Sequence, residues 1–312
     1  MSQYIGEIIS IGVAFSWTIT ALLSEYASKK LGSITFNFYR MVFSLAFSLV
    51  LFLVVLGSPF PVSGSIKAYS WMLLSGVVGF VICDYCLMKC YTIIGSRFGQ
   101  LFMTFAPLSA ALTAWILLGQ SLSIMSIIAM IVTLFGIMLS ILGRGEKHLL
   151  TLKLPANGVF YASVAAICQG IGLVISKIGL DYYQESMPKT VLENAGWILP
   201  FCANFYRCIA GLIGFGVFVL FNHNMQALRE GITHPKITMS MVSATIFGPF
   251  VGVAFSLMAV QYTAAGIAST LMALTPIIIL VPAHFWLGQK VTYKGLLGAI
   301  VSVLGVALFF MA

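Results

Sequence analysis

Three charged side chains, Arg40, Asp84 and Arg207, interrupt long apolar runs of this sequence, and its chemistry is concentrated at them. A cation at bilayer depth costs about 2.5–3.5 kcal/mol on insertion scales and seldom faces lipid, so if these runs cross a membrane both arginines should point inward. Two roles fit such a group. One is capture of a carboxylate or other anionic group of a small-molecule substrate, and the other is a bond to helix-end carbonyls that serves structure or gating. Each arginine closes the same tetrapeptide, Asn37-Phe38-Tyr39-Arg40 and Asn204-Phe205-Tyr206-Arg207. Because Asn and Tyr recur with it, Asn37, Tyr39, Asn204 and Tyr206 read as gating or structural residues, while Arg40 and Arg207 stand as substrate-pocket candidates.

Asp84 is the carboxylate placed inside a run rather than at its end, five residues before Lys89. A buried carboxyl that takes up and releases a proton is a proton-coupling candidate. Proximity in the chain favours the alternative, an ion pair with Lys89 or Arg97 in a solvated mouth. Trp17 and Gln169 occupy equivalent mid-run positions, and Gln100 lies two helical turns before Pro107. Buried indole and amide groups need partners, and a pocket wall supplies them. Tyr91 and Tyr262 lie near run ends, where interfacial anchoring is expected. Glu25 and Lys177, also equivalent, are expected to reach opposite interfaces.

Other chemistry is thin. Cys83, Cys86 and Cys90 share one helix face, but a thiolate site in hydrocarbon would need compensating charge and His partners, so they read as small packing residues. Cys168, Cys202 and Cys208 also lie in apolar runs, and no disulfide is expected. His284, beside Pro282, reads as a packing residue. There is no nucleophile elbow, phosphate-binding glycine loop or His-Glu-x-x-His signature, which argues against an enzyme and against a metal or other cofactor.

The elements that position these residues follow from composition. Of 312 residues, 60% are hydrophobic and only 8% charged, with a mean hydropathy of +1.05. A soluble domain carries roughly a quarter of its residues charged, so a polytopic membrane protein is indicated and a sizeable soluble domain is excluded. Ten apolar blocks can be read, at 4–24, 34–56, 71–88, 98–118, 123–142, 157–177, 198–221, 239–260, 265–286 and 293–311. They are continuously apolar for about 20 residues, which suits transmembrane helices and not the alternating segments of a barrel. The first block has no basic leader and is followed by Lys29 and Lys30, the pattern of a retained span.

Basic residues give an orientation. Eleven lie on the side holding the links after odd-numbered blocks and three, Lys67, Lys177 and Lys189, on the side holding both termini. The positive-inside rule then puts both ends outside. The net charge of +8 calls for no nucleic acid, because anionic lipid heads meet those residues.

The chain repeats internally. Pro107 and Pro276, Leu118-Gly119-Gln120 and Leu287-Gly288-Gln289, Ser123 and Thr292, and Gly136 and Gly305 match at an offset of 169. Tyr91-Thr92 and Gly95 match Tyr262-Thr263 and Gly266 at 171. The reading is an all-α membrane protein of ten transmembrane helices, with a first repeat over 1–142, a linker over 143–156 and a second repeat over 157–312. Five crossings reverse the chain, so the second copy enters the membrane inverted, the framework of secondary transporters with a midplane site between the halves. Gly119 and Gly288 suit helix C-caps, and Ser123 and Thr292 N-caps. Gly95 with Gly99, and Gly248 with Gly252, have close-packing spacing.

These residues carry a resemblance over nearly the whole chain. With Ala14-Phe15-Ser16-Trp17, Arg40, the stretch from Gly79 through Pro107, Gly248 to Gly252, Tyr262 through Pro276, Leu287-Gly288-Gln289, Gly298 and Gly305, the sequence resembles the ten-helix EamA-like family of the drug/metabolite transporter superfamily. The resemblance implies a carrier, most simply an exporter, of small organic metabolites such as amino acids or amphipathic compounds. Its pocket would lie between the halves, built mainly by helices one, three, four, six, eight and nine, in a membrane such as a bacterial inner membrane. Many members are drawn with both termini cytoplasmic, against the charge count. The family commonly has Glu where this chain has Gln120 and Gln289. A nucleotide-sugar or phosphate-ester carrier, and more remotely a membrane-embedded enzyme or lipid-handling protein, are the alternatives. Direction, coupling ion and oligomeric state are not written in the sequence.

Overall fold

In the computed structural model the described residues, 4–142, 155–222, 225–278 and 293–309, form an all-helical array. Seven helices are long and apolar enough to cross a bilayer: α1 (Ile5–Leu31), α2 (Ser33–Leu56), α3 (Ile66–Ser96), α4 (Phe98–Leu118), α6 (Ala156–Ser186), α7 (Lys189–Phe221) and α8 (Pro235–Tyr262). Three shorter apolar helices are α5 (Ile124–Ser140), α9 (Ala265–Ile278) and α10 (Tyr293–Leu308), and a short helix, Met225–Thr233, precedes α8. The outward faces carry large apolar side chains, Val54, Ile124 and Phe221 being 78%, 79% and 81% exposed. A water-facing surface would bury such groups, whereas hydrocarbon solvates them.

Several helices overrun the apolar blocks. α1 continues to Leu31 and α6 to Ser186, because Lys29 and Lys30, or Asp181 and Glu185, sit where the helix has left the apolar layer and polar side chains no longer cost desolvation. The third block is the centre of α3. Gly288, Gln289, Thr292 and His284, together with the linker over 143–154, lie outside the described residues.

The packing is symmetric under exchange of the two halves. α1 lies against α8 and α9 of the second half, and α6 lies against α3 and α4 of the first. α2 pairs with α7, α4 with α9, and α5 with α10. Two of the long helices, α3 and α8, are irregular at matching places. In α3 the backbone widens to π-type bonding over Val77–Asp84, and in α8 over Ile246–Phe250, starting 169 residues later. In α8 the cause is Pro249, which has no N–H to give the helix. The carbonyls freed there are met by side chains: Ser16 of α1 donates to Phe247 O at 2.6 Å.

Gly95 separates α3 from α4 instead of packing helices together. Its φ of 82° and ψ of 160° lie in a region almost closed to residues with a Cβ. Glu25 of α1 holds this break, accepting from the backbone N–H of Ser96 at 3.1 Å and from its hydroxyl, and from Lys29 at 2.6 Å. Glu25 therefore fastens α1 to the α3–α4 corner and does not simply reach for an interface. Lys177 bonds Asp181 one turn on, at 2.5 Å. We expect Gly95→Ala to lose about 1–3 kcal/mol of stability, read as a lowered unfolding midpoint in detergent, since the new Cβ meets only Glu25 Oε1, at an ordinary contact distance of 3.8 Å, and the backbone alone objects. An unchanged midpoint would mean that this corner relaxes freely.

At the α4–α5 corner Gly119 is left-handed, with φ 63°, and the Ser123 hydroxyl accepts from Ser126 N at 3.0 Å, as helix caps do. Gln120 uses its Oε1 to accept from Ala265 N at the start of α9, at 3.3 Å. A neutral amide suffices for that.

Candidate functional site

The two halves line a partly open cavity whose wall includes Trp17, Arg40, Asp84, Gln100, Gln169 and Arg207. Residues from 17 to 207 thus converge on one space because α1, α2, α3, α4, α6 and α7 each turn at least one polar position towards it. α8 and α9 complete the wall through Gly248, Val253, Ser256, Ser269 and Met272. Among the described residues α5 and α10 contribute nothing to it.

The NFYR motifs act in parallel. Asn37 Nδ2 donates to the Asp84 carbonyl at 3.1 Å, and Asn204 Nδ2 donates to the Pro249 carbonyl at 2.6 Å. Each Asn therefore holds the widened turn of the helix beside it, and at the offset of 169 Asp84 of the first half corresponds to Val253 of the second. The arginines reach across the halves. Arg40 of α2 stands against Gly248 of α8, where a Cβ would lie 3.0 Å from Nη2, and Arg207 of α7 stands against Gly79 of α3, where it would lie 2.7 Å away. These glycines make room for guanidinium groups. Gly252, similarly, would put a Cβ 2.9 Å from the Trp17 indole nitrogen.

The tyrosines of the motifs do not face the cavity. Tyr39 donates its hydroxyl to Leu228 O at 2.6 Å, and Tyr206 packs on Tyr69 with ring centres 4.4 Å apart. Both tie α2 or α7 to neighbouring structure.

Asp84 departs from the expected pairing. It binds Arg40, 44 residues back, with Nη1 to Oδ2 at 2.9 Å, and it does not need Lys89. The Arg40 Nη1 also donates to Asn37 Oδ1 at 2.8 Å. The pair spans α2 and α3, a distance in the chain that no local spacing encodes. Arg207 is met differently. It lies over the Phe80 ring at 5.0 Å, a cation–π contact, and is 5% exposed. Among the described residues no acceptor hydrogen-bonds its guanidinium, and its Nε is buried without a partner. The Arg40 Nε is in the same condition.

Tyr91 corrects the expectation of an interfacial anchor. It is 1% exposed, lines the cavity and accepts from Gln100 Nε2 at 2.5 Å. Sequence missed it because Tyr91 falls near the end of an apolar run, yet α3 continues to Ser96 and carries it inward. Tyr262, its counterpart, is 57% exposed at the end of α8. Gln169 Oε1 accepts from the Cys83 thiol at 3.4 Å, which also donates to Ala165 O at 3.3 Å. Those contacts make Cys83 part of the α3–α6 seam. Cys86 and Cys90 are buried as well, and all six cysteines are free thiols.

A basic and aromatic cradle with apolar walls can hold an amphipathic ligand. Polar side chains from both halves alternate with apolar ones along its wall, and Met88, Met103 and Met272 line it with side chains that adapt their shape.

The profile of the EamA-like transporter family matches residues 4–142 and 156–311. One solved structure, described only as a crystal structure of a protein, is similar in fold, with a TM-score of 0.72 at 14% identity over 99% of this chain and 97% of that one. Among curated proteins there is no significant match.

Proposed function

The chain belongs to the EamA-like transporter family of the drug/metabolite transporter superfamily, and from that membership and the cavity we propose that it is a secondary carrier exporting small organic metabolites, such as amino acids or amphipathic compounds. It is an integral, multi-pass membrane protein. In this reading ten spans form two inverted five-helix repeats, over 1–142 and 157–312 with the linker 143–156 between them, in a bacterial inner membrane. The carrying observation is that one cavity draws its wall from both halves while the same helix pairs recur under exchange of the halves. Two copies of one pattern in inverted settings can trade packings, and the trade opens the cavity to one side and then the other.

Trp17, Gln100 and Gln169 would contact the substrate, and the Asn37 and Asn204 clamps would hold the widened turns through the exchange. The decisive test is counterflow in proteoliposomes. A preload of unlabelled amino acids should drive transient accumulation of labelled substrate, which a channel cannot produce. Absence of any overshoot for all amphipathic metabolites tried would sink the carrier reading. Trp17→Ala should slow that exchange by about tenfold or more, the scale of one lost well-packed aromatic contact. If Asp84 carries a coupling proton, Asp84→Asn should exchange substrate normally and lose acceleration by an imposed pH gradient. Retention of full pH-gradient dependence would remove Asp84 from coupling.

A further inference from the structure

The two halves place equivalent arginines at the cavity but provide only one of them with a counter-charge. We propose that Arg207 is the anion-recognition residue of this cavity and that the substrate is a monocarboxylate with an apolar body. The inference rests on the carrier reading above for its transport role, but not for binding.

The repeat register carries the argument: the offset of 169 that pairs Gly79 with Gly248 puts Val253 opposite Asp84, and both line the cavity. In the first half that position is an aspartate, which neutralises Arg40 at 2.9 Å. In the second half it is a valine, so Arg207 has no carboxylate in hydrogen-bond contact among the described residues and feels only the charge of Asp84 across the cavity. Seven of the chain's eight carboxylates lie among the described residues, and Asp84 alone of these lines the cavity; the eighth, Glu146, belongs to the polar linker sequence. The cavity wall thus holds Arg40 and Arg207 against Asp84, which leaves one positive charge unmatched.

A buried guanidinium whose fork is unoccupied matches a carboxylate, which it binds through two parallel hydrogen bonds. The Phe80 ring below Arg207 orients the guanidinium plane, and the absence of a Cβ at Gly79 leaves space for Nη2. A dianionic phosphate ester would call for a second free cation, and Arg40 is engaged. Leu173, Val253 and Met272 give the cavity wall apolar surface that suits an aliphatic or aromatic body.

Ligand-induced thermal stabilisation of the purified, full-length protein tests this, since a compound that binds the folded state raises its midpoint by mass action. The probes are 4-methylpentanoate, leucine, leucinamide and inorganic phosphate. 4-Methylpentanoate and leucine should stabilise the wild type, and leucinamide, which has the same body and no carboxylate, should not. Arg207→Gln should weaken the carboxylate response about tenfold or more, the scale of a lost charged hydrogen-bond pair, and Arg207→Lys should retain part of it. If Arg207→Gln does not fold, Gly79→Ala keeps the charge but pushes Nη2 aside, and it should weaken the same response severalfold. Equal stabilisation by leucinamide, an unchanged response in Arg207→Gln or Gly79→Ala, or a stronger response to phosphate would overturn the proposal. Binding of 4-methylpentanoate without counterflow would leave Arg207 in place and refute the carrier. Counterflow of amphipathic compounds with no preference for a carboxylate would do the reverse.

Discussion

Asp84→Ala is expected to destabilise the protein by about 3–5 kcal/mol, the largest loss of any cavity substitution, because it leaves a buried cation without its partner. Asp84 contributes the one negative charge of the cavity wall among the described residues, and Arg40 is 4% exposed. Without Asp84 the wall would carry two guanidinium groups and no counter-charge, so the loss includes their mutual repulsion. Removing the cation as well should restore most of the stability: Arg40→Leu with Asp84→Leu replaces an ion pair by apolar groups, an exchange that is often neutral or favourable once both charges are gone. Unfolding midpoints of the wild type, both single variants and the double variant give the coupling directly. A loss below about 1 kcal/mol for Asp84→Ala, the level of an exposed pair, would show that water already screens this one. The same variant separates stability from recognition, because Arg207 keeps its place over Phe80 and a carboxylate probe should still raise the midpoint.

How far this site can be read from sequence depends on the kind of contact. Arg40, Asp84 and Arg207 stand out because charge in an apolar run is costly wherever it occurs, and Trp17, Gln100 and Gln169 because buried donors need acceptors. Those are properties of a residue and its neighbours in the chain. The partnership of Asp84 with Arg40 is not, since it joins α2 to α3 across 44 residues, and the nearby Lys89 is the more obvious choice in the sequence. Tyr91 was hidden for a related reason. Run ends mark where hydropathy falls, but α3 continues past that point and a tyrosine at its edge is drawn into the cavity. Gly95 has the spacing of a packing glycine, and only its positive φ reveals a chain reversal. The repeat itself is plain in the sequence, and the matching π turns of α3 and α8 keep its offset of 169 residues. The functional difference between the halves lies where the repeat breaks, at Asp84 and Val253.

Gly298→Leu is expected to be the most damaging substitution away from the cavity. α5 and α10 approach so closely that a Cβ on Gly298 would fall on the backbone nitrogen of Ser140, and one on Gly136 would fall on that of Ser302. Ser302 donates its hydroxyl to Thr133 O at 3.2 Å across this seam. Small residues let the backbones meet, and no side chain can swing away to admit a larger one, because the obstacle is main chain. A leucine must therefore part the helices, at about 3 kcal/mol or more, beyond the usual 1–3 kcal/mol of overpacking in a core that can adjust. Gly298→Ala should show a smaller loss of the same sign. Gly12→Ala is the control: its Cβ meets nothing within 4 Å, so its midpoint should shift by no more than about 0.5 kcal/mol. Because α5 and α10 do not line the cavity among the described residues, the molecules of Gly298→Leu that do fold should bind 4-methylpentanoate within about twofold of wild type, well under the tenfold that 1.4 kcal/mol represents. Weakened binding in the folded fraction would mean that the α5–α10 seam sets the spacing of the two halves and, through it, the shape of the cavity. A midpoint equal to wild type would mean that the seam is looser than its backbone contacts imply.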